Sequence, residues 1–335
     1  MTFPLTLARR AFTCTALAMA ASACLPALAQ GPSPTGDWPN KPIRLVVTFP
    51  PGGSSDIAAR LVAPKLSERL GAQVVVDNKP GAGGGIGLEA VAKSPADGYT
   101  IVLASAGGLT ANPSLYKKIN YDPVKDFQPV TLFGTSPFVL IASSSLPVSN
   151  AQDVLKLARA KPGQLSYASG GNGTAMHLSG ELMKLMSNTH IVHIPYRGTS
   201  PAVLAAMSGE TQLAIADIAS VQQQAKSGRI KLLAVLSKER SPLAPDVPTL
   251  AESGIPGYES AGWFAILAPA GTPKPIVQRL NAELNTVLRQ PDVKAAFAQS
   301  GLEPLPSTSE ELASLMKSET TKWAKVIKES GASVD

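Results

Sequence analysis

A largely apolar, β-branched run from Ile43 to Val47 is broken by Pro50-Pro51-Gly52-Gly53, and Ser54-Ser55-Asp56 follow at once. This order constrains the fold more than any other stretch: a buried strand, a tight turn, then a helix start. Ser54, Ser55 or Asp56 can supply the N-cap. The first N–H groups of such a helix have no intrahelical partner and carry the positive end of its dipole. Gly52 and Gly53 have no Cβ to hold a ligand away from the backbone. The turn therefore has the chemistry of a small-anion cradle, and equally that of an ordinary capped strand–helix connection.

The same unit recurs along the chain. A helix is expected from about Asp56 to Leu70 with Gly71 as its C-cap, kinked or restarted at Pro64. A strand over residues 73–78 leads to Gly81-Ala82-Gly83-Gly84-Gly85-Ile86-Gly87, which opens a helix over 88–93. That glycine run is not a dinucleotide fingerprint, because it follows the second strand and no ribose-binding acid accompanies it. It reads as close packing of a helix start on the sheet. A third strand, 99–104, runs into Ser105-Ala106-Gly107-Gly108. This β-α-β-α-β order predicts an α/β doubly wound sheet, with ligands beyond the carboxyl ends of its strands, where residues 49–56 and 105–108 lie. After apolar strands between Phe127 and Ser144, a second α/β series begins at Asn150. Its strand at 165–168, Gly-rich loop 169–174 and helix 175–186 repeat the opening unit, so two cradles can face one ligand.

The first 29 residues read as an export leader: Arg9-Arg10, an Ala-rich apolar core, and Ala27-Leu28-Ala29 before a cleavage near Ala29. Arg9-Arg10-x-Phe12 leaves twin-arginine export open, and Cys24 marks a degenerate lipidation site. Residues 30–40 are a Pro/Gly/Ser linker. Cys14 and Cys24, the two cysteines, both fall in the leader, so disulfides and thiolate chemistry are not expected in the exported chain. Net charge is +6, of which Arg9 and Arg10 contribute two, and no basic run or interleaved aromatics suggests nucleic acid. His190 and His193 stand three apart on a strand, on opposite faces, and His177 sits alone on a helix. No metal set or cofactor site, no Gly-x-Ser-x-Gly elbow and no catalytic residue is expected.

Several stretches together resemble the Bug family, the extracytoplasmic solute receptors of tripartite tricarboxylate transporters. They are residues 49–56, Asp77-Asn78-Lys79-Pro80-Gly81-Ala82-Gly83, Asp97-Gly98-Tyr99-Thr100, Asn112-Pro113-Ser114-Leu115-Tyr116, Pro195-Tyr196-Arg197-Gly198, Leu233-Ala234-Val235, and Gly262-Trp263-Phe264 with Pro269-Ala270-Gly271-Thr272-Pro273. The resemblance runs from about Trp38 to the C-terminus; the order and completeness of the motifs carry it. It implies a type II periplasmic-binding-protein fold, two doubly wound lobes joined by two crossing strands. Lobe 1 would take residues 41–137 and 263–335, and lobe 2 residues 138–262, with crossings near 136–138 and 261–264.

The resemblance further implies that a ligand carboxylate is held by the turn after the first strand and by the facing turn of the second lobe. The expected ligand-binding residues are Phe49, Gly52, Gly53, Ser54, Ser55 and Asp56, then Ser105 and Ala106, then Ser169, Gly173, Thr174, Tyr196 and Asp217. Backbone N–H groups of Gly53 and Gly173 are favoured for direct contact. Asp217 either accepts from a ligand donor or caps the next helix. Phe49 and Trp263 stack on a ligand or pack lobe against lobe, and Arg197 faces solvent or clamps a second carboxylate. The expected function is a periplasmic, monomeric, non-enzymatic receptor for a small carboxylate or a related polar aromatic or amide, delivering it to membrane permease subunits. A sensory receptor and an enzyme on the same fold are the other two readings.

Overall fold

Strand β1 (Ile43–Val47) is buried at every position but Arg44, as a strand covered on both faces should be. A computed structural model describes residues 37–334 of the chain. The leader, the cleavage near Ala29, Cys14 and Cys24, and residues 30–36 of the linker lie outside the described residues. Beside β1 come β2 (Val74–Asn78) and β3 (Thr100–Ser105), both parallel to it, and then β4 (Phe127–Ser136). Strands β5 (Phe138–Ser143), β6 (Ser166–Ser169), β7 (Val192–Pro195), β8 (Leu213–Asp217) and β9 (Ile230–Val235) build a second sheet. The chain then returns to the first through β10 (Gly262–Pro269) and β11 (Glu303–Pro304). The six-stranded sheet has the order β11-β4-β10-β3-β1-β2, and the five-stranded sheet β7-β6-β8-β5-β9.

Helices α1 (Ser54–Leu70) and α2 (Gly85–Ala92) follow β1 and β2. A π-helical turn, Gly107–Ala111, and α3 (Asn112–Leu115) follow β3. Around the second sheet lie α4 (Ala151–Ala160), α5 (Ala175–Ser187), α6 (Thr199–Ser208) and α7 (Ile218–Lys226). The chain closes with α8 (Lys274–Leu288), α9 (Pro291–Gln299) and α10 (Ser309–Ser330). The two sheets are joined at Ser136-Pro137-Phe138 and at the start of β10, where Gly262 pairs with Ser136. This is the mixed α/β, two-sheet arrangement expected of a type II binding fold.

Local expectations fail in three informative places. Helix α1 starts at Ser54 with Gly53 as N-cap, and no side chain caps it; the Asp56 carboxylate turns back instead to the Gly52 N–H at 2.9 Å. Pro64 neither restarts nor ends α1, which runs 17 residues through it. Burial of Ala59, Val62, Ala63 and Leu66 outweighs the ~3 kcal/mol that an interior proline costs. The helix expected over 88–93 starts three residues earlier, after a 3₁₀ turn at Ala82–Gly84. The close packing expected of the glycine run is visible at Gly87, where a Cβ would lie 2.9 Å from both the Lys79 carbonyl oxygen and Thr48 Cγ2.

Helix α10 packs on both halves. Leu312 and Met316 join the core of the first sheet with Val102 and Leu267, whereas Trp323, Val326 and Ile327 join Leu140, Leu182 and Ile215 of the second.

Candidate functional site

A cleft of about 550 Å³ opens where the carboxyl ends of both sets of parallel strands converge. Its wall takes Phe49, Gly53 and Ser55 from the turn after β1, and Ser105 and Ala106 after β3. Asn172, Gly173 and Thr174 come from the loop after β6, Asp217 ends β8, and Trp263 and Phe264 begin β10. The helix starts of α1 and α5 thus open onto one cavity, where the N–H groups that a helix leaves unpaired can take an anion. Among the described lining residues none is Lys, Arg or His, and Asp217 is the one acid.

The first cradle is shaped from behind by Asp56, which is 3% exposed. Its carboxylate accepts from Gly52 N–H at 2.9 Å, from Arg60 Nε at 3.0 Å and from Asn78 Nδ2 at 3.0 Å. Asn78 Nδ2 also reaches the Phe49 carbonyl at 3.0 Å, tying β2 to the turn. Burial works to raise the Asp56 pKa, but the Arg60, Gly52 and Asn78 bonds prevail and hold it below the usual carboxylate value. Gly52 and Asp56, expected at the ligand, therefore satisfy each other, and neither lines the cleft.

The second cradle is also internally bonded. Thr174 is the N-cap of α5, accepting from His177 N–H, and its hydroxyl donates to the Gly171 carbonyl at 2.8 Å. The Gly173 N–H, singled out for direct contact, donates to His177 Nδ1 at 3.0 Å. The N–H groups left at this helix start include those of Ala175 and Met176, both in the cleft wall. Ser169 is fully buried beneath the loop, its Oγ 2.7 Å from His193 Nε2, and it does not line the cleft. Tyr196 lies outside the cleft as well and donates its hydroxyl to Glu210 at 2.8 Å; Arg197 is exposed. His177 is the one histidine on its helix, but its ring stacks on that of His193 from β7, centroids 3.9 Å apart. The strand expected to carry both His190 and His193 on opposite faces begins only at Val192, so His190 precedes it.

Asp217 sits at the N-cap position of α7 but makes no capping bond. Its Oδ1 accepts instead from Ser136 Oγ at 2.6 Å, beside the crossing from β4 to β5. Burial pushes its pKa up, against the opposing pull of the Ser136 bond. Asp217 thus lines the cleft and does not cap α7. The indole N–H of Trp263, on a side chain 5% exposed, has no acceptor among the described residues.

Phe49, Gly53, Ser55, Ser105, Ala106, Gly173, Thr174 and Asp217 are thus brought together; the backbone of Ser54 begins α1 beside them. Sequence reasoning missed Ser136, Asn112, Tyr116, Asn172, Met176 and Thr199, all in the cleft wall. Ser136 had a signal, since it stands at the crossing. Asn112 and Tyr116 lay in a motif already singled out. Among the described residues no cluster of three or more His, Cys, Asp or Glu could hold a metal ion, and no helix is long and apolar enough to cross a membrane.

Comparison with known proteins places these features in context. The sequence model described as tripartite tricarboxylate transporter family receptor matches residues 58–332. Protein BugT of Bordetella pertussis is 38% identical over 88% of this chain and 91% of its own length. The solved structure of R. palustris Rpa4515 with adipate is 37% identical, covering 89% of this chain and 100% of that one, with a TM-score of 0.77. MatC from Rhodopseudomonas palustris with bound malate is 31% identical, covering 87% of this chain and 100% of that one, with a TM-score of 0.73.

Proposed function

Because this chain belongs to the tripartite tricarboxylate transporter receptor family, we propose that it captures one small carboxylate bearing a hydrogen-bond donor and hands it to a membrane permease. The observation that carries the reading is the cleft itself: two helix starts open onto about 550 Å³ whose described lining residues include one acid and no cation. A ligand carboxylate is taken there by neutral donors, the N–H groups and hydroxyls of the turns after β1 and β6. Its other end meets Asp217, which as an ionised acceptor favours a hydroxyl, ammonium or amide. Adipate and malate, held by similar proteins, are acids of the size this cavity admits.

Closure of two lobes, residues 41–137 with 263–335 and residues 138–262, encloses the ligand. The ligand-contacting set is Phe49, Gly53, Ser54, Ser55, Ser105, Ala106, Gly173, Thr174 and Asp217. The leader pattern supports export to the periplasm with cleavage near Ala29. Binding without turnover is supported by the family, whose description is that of a transporter receptor. A monomer suffices, since both cradles belong to one chain.

A thermal-shift screen tests the reading. The exported chain is unfolded and refolded to strip any bound acid, then offered hydroxy acids, amino acids, aromatic acids, amides and dicarboxylates. A ligand at about 1,000 times its Kd adds ~4 kcal/mol by mass action. At roughly 2–4 °C per kcal/mol this is a rise of several degrees. The acid that gives it should bind more weakly as pH falls and Asp217 gains its proton, a dependence that Asp217→Asn flattens. No rise with any compound contradicts the reading. A rise for adipate that grows in acid replaces the donor-bearing acid with a dicarboxylate, to which protonated Asp217 donates.

A further inference from the structure

Two histidines lie behind the second cradle without lining the cleft. His177, in the first turn of α5, is 5% exposed. Its ring stacks on His193 from β7 with the planes 17° apart. Each ring reaches the same glycine loop by its own route. His177 Nδ1 accepts from the Gly173 N–H at 3.0 Å. His193 Nε2 pairs with Ser169 Oγ at 2.7 Å, and that hydroxyl accepts from the Gly171 N–H at 3.2 Å.

Gly173 cannot be held by a side chain of its own. Its φ is +75°, and a Cβ there would meet Leu115 Cδ2 at 2.4 Å and Val334 Cγ1 at 2.5 Å. The loop's shape must therefore come from bonds to its backbone, and the bond to Gly173 comes from His177.

We propose that His177 is a positioning residue for ligand capture: its neutral imidazole fixes Gly173, and with it the second cradle, while the stacked His193 fixes the ring and braces Gly171. The inference rests on the cleft being the ligand site. An accepting Nδ1 puts the ring proton on Nε2, which faces Glu181 Oε1 at 3.7 Å. Protonation would set a second N–H against that of Gly173 and break the bond. The charged and titratable groups around the ring are Glu181 and Lys184 on α5, Tyr167 on β6 and His193 on β7. Lys184 is bound to Glu181 through both carboxylate oxygens at 2.7 Å, so the carboxylate is largely neutralised before it reaches the ring. Burial lowers the pKa of both histidines, that of His193 to about 3, which keeps them uncharged at neutral pH.

Two variants of the exported chain separate positioning from simple packing. His177→Asn keeps an acceptor near the place of Nδ1; His177→Leu keeps bulk without one. In the ligand-free chain, amide exchange at Gly173 should quicken about tenfold in H177L, as expected when one amide bond is lost, while Leu140 in β5 and Ala214 in β8 stay protected. H177N should restore the protection. A titration with L-malate should show about tenfold weaker binding for H177L and near-native binding for H177N. Unchanged protection at Gly173 in H177L, equal deprotection of β5 and β8, or native malate affinity in a variant with Gly173 exposed each overturns the proposal. Failure of the unmodified chain to bind malate counts against the carboxylate reading of the cleft, and the exchange comparison then decides alone for or against His177.

Discussion

The Asp56 carboxylate has three protein donors around it, and the bond from Gly52 closes the turn on which the first cradle depends. Asp56→Ala would leave the Gly52 N–H without its acceptor and take one of the acceptors from Arg60 and from Asn78, whose amide keeps the Phe49 carbonyl. We expect a loss of about 1–3 kcal/mol in urea unfolding, together with weaker capture of any acid that binds. The pKa of Asp56 is depressed, so its contribution is present above the unfolded value of 3.8 and is lost as pH falls through the lower folded value. A D56A chain as stable as the unmodified one would show that the network is incidental. The residue types of the turn were legible in the sequence, because Pro-Pro-Gly-Gly before Ser-Ser-Asp permits little else. The direction in which Asp56 bonds was not, since a capping carboxylate and one that turns back on Gly52 have the same spacing. The histidine pair was hidden for a different reason. Residues 177 and 193 meet only because β7 lies beside β6, a long-range consequence of sheet order that no local periodicity carries.

Among the elements, the strands were the clearest in the sequence. Apolar β-branched runs such as Val74–Asn78 and Thr100–Ser105 end at Gly-, Pro- or Ser-rich turns and lie within a residue or two of where they were expected. Helix starts slipped more, because glycines take the N-cap positions of α1 and α2 where side-chain caps are the usual signal. The partners of helix α10 could not be read from the sequence, since one amphipathic face serves two cores in succession. Trp323, 4% exposed, is the largest side chain that it gives to the second core, and its Nε1 donates to Glu319 at 2.8 Å. Trp323→Ala should cost about 3–5 kcal/mol, read as a lower urea midpoint with the slope unchanged. A loss below 1 kcal/mol, the range of ordinary surface substitutions, would show that α10 rests on the first half alone.

At the scale of the molecule, the chain repeats one device: a buried parallel strand, a glycine turn and a helix start, once in each sheet. The two copies open onto a cleft whose described lining residues carry no positive side chain, so an anion among them depends on backbone dipoles and hydroxyls. The fold class and both strand–turn–helix units were readable because that device has a sequence signature. Asp217 could be named but its role could not be decided, because its partner Ser136 stands 81 residues away on another strand. As a receptor of this family, the intact chain should hold one small carboxylate. Native mass spectrometry of the chain recovered from the periplasm tests this most directly. The account predicts one small acid per chain, lost on unfolding and refolding and regained in a one-to-one complex when that acid is added back. A bare chain that takes up none of the acids offered, or takes up several at once without saturating at one, would contradict it.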